Sequence, residues 1–181
     1  SESAPGVLVD CLATSSAAYE RADAATTSFA VMALAALRAG HGAAAGIDEA
    51  ITSALAWLRS MQATSGTAVG GFGQYVGDSA DPNSTAVAIL ALIAAGVDPT
   101  TWTVPGGDPR SSLDSWIIGA GPDSGALSSP YSAGAADLFA TYQGFWGIAG
   151  MPFPMHSLVE PVTTTLPGDP SAEVVPPAFT G

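Results

Sequence analysis

The chain contains no lysine, and its four basic residues, Arg21, Arg38, Arg59 and Arg110, stand against sixteen carboxylates, for a formal net charge of −12. Neutralising phosphates takes clustered Lys and Arg, so nucleic acid is excluded as a partner. Binding to an anionic membrane surface is excluded for the same reason. Charge of either sign is scarce, at 11% of residues against about 25% in an average soluble domain. Cysteine is limited to Cys11, so no disulfide closes within the chain and cysteine usage leaves the redox compartment unread. Long apolar runs are lacking too: the longest, Ala86 to Val97, falls short of the ~18 residues that a membrane span needs. Ser1 to Gly6 has no basic start and no initiating Met, so we expect a processed or excised segment rather than a signal peptide.

What is present is apolar residues, 48% of 181. At 17.9 kDa, surface scaling lets about 70% of the unfolded surface be buried, enough for one core without disulfides. Three segments end in glycine: Thr26 to Gly40, Asn83 to Gly96 and Phe139 to Gly150. Aligning their final glycines lays Ala30, Val31, Leu34, Ala35 and Ala39 on Ala86, Val87, Leu90, Ala91 and Ala95. The first two are apolar around the whole circumference, which predicts helices buried on all sides. Their glycines read as residues that end a helix at positive φ. Asp81-Pro82 is an N-cap followed by proline at the first helical position.

Between these lie segments of another kind, Ile47 to Gln62 and Ser111 to Ala120. In the first, Ile47, Ile51, Ala54, Leu55, Leu58 and Met61 form one stripe, and Asp48, Glu49, Thr52, Arg59 and Ser60 the other side. This predicts a half-buried helix, with Glu49 near its positive end. Laying SALAWL on SLDSWI pairs Trp57 with Trp116. The expected unit is an amphipathic helix, a Gly-rich connection, a buried helix and a turn, repeating at roughly 54 to 56 residues as stacked helical hairpins. Two complete hairpins and one extra buried helix are expected. From about Met151, prolines 152, 154, 161, 167, 170, 176 and 177 break any helical period, and Leu158, Val159, Val162, Leu166, Val174, Val175 and Phe179 make the stretch too apolar for a free linker. The expected organisation is a partial repeat over 1–24, helical repeats over 25–154 and an extended tail over 155–181, packed on the body.

Trp57-Leu58, then Gln62, then Gly66, with Gly70-Gly71-Phe72 supplying an aromatic after a short insertion, resembles the QW-type repeat of terpenoid cyclases and protein prenyltransferases. In the next unit Gly121 stands where glutamine would, and Gly125-Ala126-Leu127 puts leucine in the aromatic's place. Phe139-Ala140-Thr141-Tyr142-Gln143, leading to Ala149-Gly150 and Pro152, resembles the closing helix of non-catalytic bacterial cell-surface toroid domains of that superfamily. The resemblance implies an all-α fold, a partial α/α toroid with inner and outer helices around a cavity. A complete toroid has about twelve helices, so the remainder would come from another chain or from closure by the tail.

The catalytic motifs of these relatives are missing. No DxDD acid motif occurs, although a carboxylic acid held by other carboxylates is what alkene protonation requires. Asp78, Asp81 and Asn83 read as caps and turn formers, being too few for a calcium site of six to eight oxygens. Asp10 and Cys11 are adjacent rather than spaced by one, and with His41 and His156 they read as ordinary residues rather than zinc ligands. No nucleophile elbow, no GCGEQ thioester segment and no phosphate-binding loop occurs, since Gly70-Gly71-Phe72-Gly73 lacks a following Lys-Ser/Thr. No cofactor or metal is expected. Aromatics remain: Tyr142 and Trp146, four apart on the third Gly-terminated helix, are the first candidates for a cavity wall, joined by Phe145, Phe72 and Tyr75. Gly144 and Gly147 weaken that helix by ~1 kcal/mol each relative to Ala, so close packing or a ligand must compensate.

Three functions follow as expectations. The first is a non-catalytic ligand-binding or protein-interaction domain of a larger secreted or surface protein, taking an apolar small molecule or a protein, as a homo-oligomer or against the rest of a larger chain. The second is part of a terpenoid cyclase or prenyltransferase-like enzyme acting on an isoprenoid, and the third a spacer without ligand.

Overall fold

A computed structural model describes residues 22–42 and 45–151. The partial repeat expected up to residue 21, the packing expected of 155–181, and Asp10, Cys11 and His156 lie outside the described residues. The described residues form five α-helices: α1 (Ala24–His41), α2 (Ile47–Met61), α3 (Pro82–Ala95), α4 (Pro109–Asp114) and α5 (Leu138–Ala149), with a 3-10 turn at Pro99–Thr101. Among the described residues extended chain pairs only in isolated bridges.

Aspartate sets most of the starts. Asp23, Asp81, Asp108 and Asp137 cap α1, α3, α4 and α5, each accepting hydrogen bonds from backbone N–H groups of the first turn. These N–H groups have no partner within the helix, which is why a short carboxylate side chain there is stabilising. Proline follows at the first position of α3 and α4 and of the 3-10 turn capped by Asp98. The amphipathic α2 starts instead at Gly46, with Asp48 and Glu49 in its first turn. Gly96 and Gly150 end α3 and α5 in the left-handed conformation, as expected. Gly40 does not end α1, which runs on to His41 with Gly42 as its cap.

The helices repeat in their hydrogen bonds. Between α2 and α3, Ala63 N–H donates to Gly71 C=O at 2.8 Å, Gly70 N–H to Ala63 C=O at 2.8 Å and Asp81 N–H to Phe72 C=O at 2.9 Å. Between α4 and α5, Ile118 N–H donates to Ala126 C=O at 2.9 Å, Gly125 N–H to Ile118 C=O at 2.9 Å and Asp137 N–H to Leu127 C=O at 2.8 Å. In both connections a threonine in the following helix completes the set. Phe72 N–H donates to Thr85 Oγ1 at 2.9 Å, and Leu127 N–H to Thr141 Oγ1 at 2.9 Å. Asp81 and Thr85 thus correspond to Asp137 and Thr141, and the same Asp-x-x-x-Thr spacing recurs at Asp23 and Thr27.

This register corrects two expectations. The Asp–Thr anchors lay Ser28, rather than Ala30, on Ala86, because α1 outruns its Gly40. The bridges Gln62 to Phe72 and Ile117 to Leu127 put Ile117 in the place of Gln62, so Trp116 does not correspond to Trp57, nor Gly121 to Gln62. The second amphipathic helix is also shorter than Ser111 to Ala120: it ends at Asp114, and Trp116 sits in the turn beyond it.

α3 packs against all four other helices, with α1 and α5 on either side of it, α2 on α1 and α4 on α3. Its residues Ser84 to Leu92 are buried throughout. Val87, Leu90 and Ala91 meet Val31, Met32 and Ala35 of α1, while Ala86 and Ile89 meet Leu113, Leu127 and Ala140 on the other side. Among the described residues, burial on all sides therefore holds for α3 alone. There α1 and α5 each have α3 on one side, and their equally apolar other faces are exposed, with Leu37 at 47% and Tyr142 at 61%.

Candidate functional site

The five aromatics singled out from sequence do not meet at one site. Phe72 is fully buried, packed with Leu58, Ala24 and Ala88, and its ring lies 6.2 Å from that of Trp102. It is a core residue at the connection between α2 and α3. Tyr75 follows in the same connection and is half-buried, its N–H donating to Asp78 Oδ2 at 3.2 Å. The other three lie on α5 and point in different directions. Trp146 turns inward onto the core shared by α1 and α3. Tyr142 and Phe145 turn outward, and the Phe145 ring meets that of Trp146 edge-on, with centroids 5.9 Å apart.

The connection around Phe72 is held by Gln62, whose side chain is buried. Its Nε2 donates to Gly70 C=O at 2.9 Å and to Trp102 C=O at 2.6 Å, and its Oε1 accepts from Arg59 at 3.0 Å. Arg59 also stands over the Trp102 ring, 5.1 Å from its centroid. Gly71 fits here because a Cβ would strike the Ser112 and Thr85 hydroxyls. These polar groups are spent on backbone carbonyls and on one another, so the arrangement clamps a loop.

Asp81 is the buried carboxylate among the described residues. Burial pushes its pKa above the ordinary 3.8, against the opposing pull of Ser84, whose N–H and hydroxyl donate to its two oxygens. Its counterpart Asp137 is shifted the other way, first by the Ser129 hydroxyl and then by the Ala140 N–H. The difference is that of position: α3 has neighbours on both sides, and α5 stands at the end of the row. Asn83, next to Asp81, donates to Gln143 of α5 at 3.0 Å. The acid cluster thus caps a helix and ties it to the next, and no group of three metal-ligating residues forms among the described residues. A cavity of about 250 Å³ lies beside this loop, lined by small residues of 63–68 and 77–80. It is smaller than the roughly 300–1,000 Å³ of small-molecule sites.

The surface that stands out is the outer face of α5. Leu138, Phe139, Tyr142 and Phe145 are exposed to 86%, 63%, 61% and 60%. Positions three and four apart on a helix are neighbours, so these side chains form one patch. At roughly 200 Å² per large side chain, they expose about 500 Å² between them, at the upper end of the largest apolar patches on monomers, about 300–600 Å². No charge interrupts α5 between its Asp137 cap and Met151. The close packing expected at Gly144 and Gly147 is found on the opposite side: a Cβ at Gly144 would strike Leu127, and one at Gly147 would meet Ala86.

The signal missed in the sequence is the Asp-x-x-x-Thr spacing, which marks the cap and the loop latch of α3 and α5. Compared with models of known protein families, with curated proteins and with solved structures, the chain finds no match. No helix among the described residues is long and apolar enough to cross a membrane.

Proposed function

We propose that the chain is a non-catalytic ligand-binding or protein-interaction domain, an arc of α/α toroid type belonging to a secreted or surface protein. The observation that carries this is the uncharged aromatic face of α5, about 500 Å² of apolar surface built from Leu138, Phe139, Tyr142 and Phe145. The toroid reading is supported by the row α1, α3, α5 with α2 and α4 outside it and by the hydrogen bonds that recur between the two connections. The lysine-free acidic composition supports the extracytoplasmic assignment. Against an enzyme, the buried Asp81 has both oxygens engaged by Ser84 and caps a helix.

The test uses the neutral apolar dye Nile red on the full chain at about 0.1 µM, below the range of weak self-association. Saturable binding is expected, weakened about tenfold (about 1.4 kcal/mol) in a Tyr142→Ser, Phe145→Ser double variant whose unfolding midpoint is unchanged. If the wild-type chain, monomeric at that concentration, shows no saturable binding, the surface is not a binding face and the spacer reading replaces this one.

A further inference from the structure

The hydrogen-bond register compares faces across the repeat. On α3, the face that receives α5 carries Ala86, Ile89 and Ile93. In the Asp–Thr register these positions correspond on α5 to Tyr142, Phe145 and Ala149, all exposed. The patch on α5 is therefore the face on which a following inner helix would lie. The other end of the row is complementary. On α3, the face that receives α1 carries Val87, Ala91 and Ala95, and its counterparts Ala33 and Leu37 on α1 are exposed.

An arc with a receiving face at one end and an inserting face at the other is self-complementary head to tail. The joint would continue a packing that the chain already makes twice, α1 on α3 and α3 on α5. The sequence of 152–181 offers no proline-free run longer than six residues, half the length of α5, and proline inside a helix breaks it. Neither outer face carries a charge: Ala24 to Leu37 and Leu138 to Met151 have none, so the −12 of each copy does not meet at the joint. Resting on the interaction-domain reading, we infer that the occupant of the α5 face is α1 of a second copy. The contact runs head to tail, and two copies close it about a two-fold axis, each giving α5 to the other's α1.

Sedimentation velocity on the full chain up to about 100 µM, a range that detects even weak pairing, tests this with Leu37→Arg and Phe145→Arg, both at exposed positions. The wild type is expected at twice the monomer mass, and each variant alone should dissociate with a Kd at least about tenfold higher. Mixing the two variants should restore part of the association, because each then offers its intact face to the other. A wild type that stays monomeric overturns the inference. So does a dimer that Leu37→Arg leaves intact, which would mean pairing of α5 with α5 or occupation by 152–181. A monomer that still binds Nile red through Tyr142 and Phe145 overturns only the second copy as occupant. A monomer that binds no dye overturns the interaction-domain reading as well.

Discussion

Gly147→Ala sets two effects of known size against each other at the contact between α3 and α5. Alanine in a helix interior is favoured over glycine by about 1 kcal/mol. The added Cβ, however, would stand 2.7 Å from Ala86 Cβ, 2.8 Å from Ala86 Cα and 2.9 Å from Leu113 Cδ2. Carbon contacts are optimal at about 3.5–4.0 Å, so α5 must move roughly 1 Å off α3. Overpacking costs about 1–3 kcal/mol. The Ala86 atoms have no side-chain torsion by which to yield, which places this case near the upper figure. The net expectation is a loss of about 2 kcal/mol, a urea midpoint lower by about 1 M at an m-value near 2 kcal/mol/M. Gly144→Ala is the internal control: its obstacle is Leu127 Cδ2, the end of a side chain that can rotate, and propensity and strain should cancel to within about 1 kcal/mol. Urea unfolding at one fixed protein concentration measures both. A Gly147→Ala variant as stable as wild type, or less affected than Gly144→Ala, refutes the close approach of the two helices.

Gln62→Leu removes the donor to Gly70 C=O and Trp102 C=O. At about 1–3 kcal/mol for each carbonyl left buried and unpaired, a loss of roughly 3 kcal/mol is expected in urea unfolding, and a loss under about 1 kcal/mol would show that the loop is not clamped there. Thr85→Val strips the acceptor from the buried Phe72 N–H and should cost about 1–3 kcal/mol, more than Thr141→Val, whose hydrogen bond is only partly buried; the reverse order would contradict the difference in burial between α3 and α5. Asp81 and Asp137 should respond oppositely to pH. The raised pKa of Asp81 contributes stability that is full below 3.8 and lost as pH climbs through the folded value, so Asp81→Asn, which keeps the cap, should fare better relative to wild type at pH 7 than at pH 3. The lowered pKa of Asp137 contributes stability present above 3.8 and lost as pH falls through the folded value, so wild type should exceed Asp137→Asn at pH 7 and lose that margin on acidification. Unfolding curves at the two pH values decide the signs, and equal signs would contradict the assignment.

The helices that could be placed from sequence are those whose signals are local. The polar and apolar sides of α2 separate along the chain, and its bounds, Ile47–Met61, follow from that stripe. Asp81-Pro82 and Gly96 bracket α3 in the same way. What stayed hidden depends on neighbours. α1, α3 and α5 are similarly apolar, and periodicity does not distinguish a helix buried on both sides from one at the end of a row. Tyr142 and Phe145 therefore read as cavity wall, when they face outward on the last of the described helices. Phe72 read as a ligand contact, whereas its latch to Thr85 spans a loop and cannot be inferred from spacing until Asp-x-x-x-Thr is seen to recur. The end of α4 at Asp114 was equally hidden, because Trp116 lies beyond the helix and packs against the cluster of Ala86, Ile89, Leu113, Leu127 and Ala140.

The scarcity of charge has a structural counterpart in where the few charges stand. Asp23, Asp81, Asp98, Asp108 and Asp137 sit at N-caps, where the helix dipole favours a carboxylate. Two of the described arginines, Arg38 and Arg110, serve the opposite ends. Arg38 pairs with Asp48 at 3.2 Å and reaches Ala95 C=O in the last turn of α3, Arg110 donates to Gly147 C=O in the last turn of α5, and Arg59 donates to Thr103 C=O at 2.7 Å. Each guanidinium thereby joins separate segments, a task for which its several fixed donors suit it better than an ammonium. Exposed helix positions ordinarily attract Lys and Glu, yet Ala33, Leu37, Leu138, Phe139, Tyr142 and Phe145 are exposed and uncharged. Placing charge at helix ends leaves the sides of α1 and α5 as apolar as the sides of α3. On α3 those sides are covered by neighbouring helices, and on α1 and α5 the same chemistry faces outward, ready for the same kind of cover.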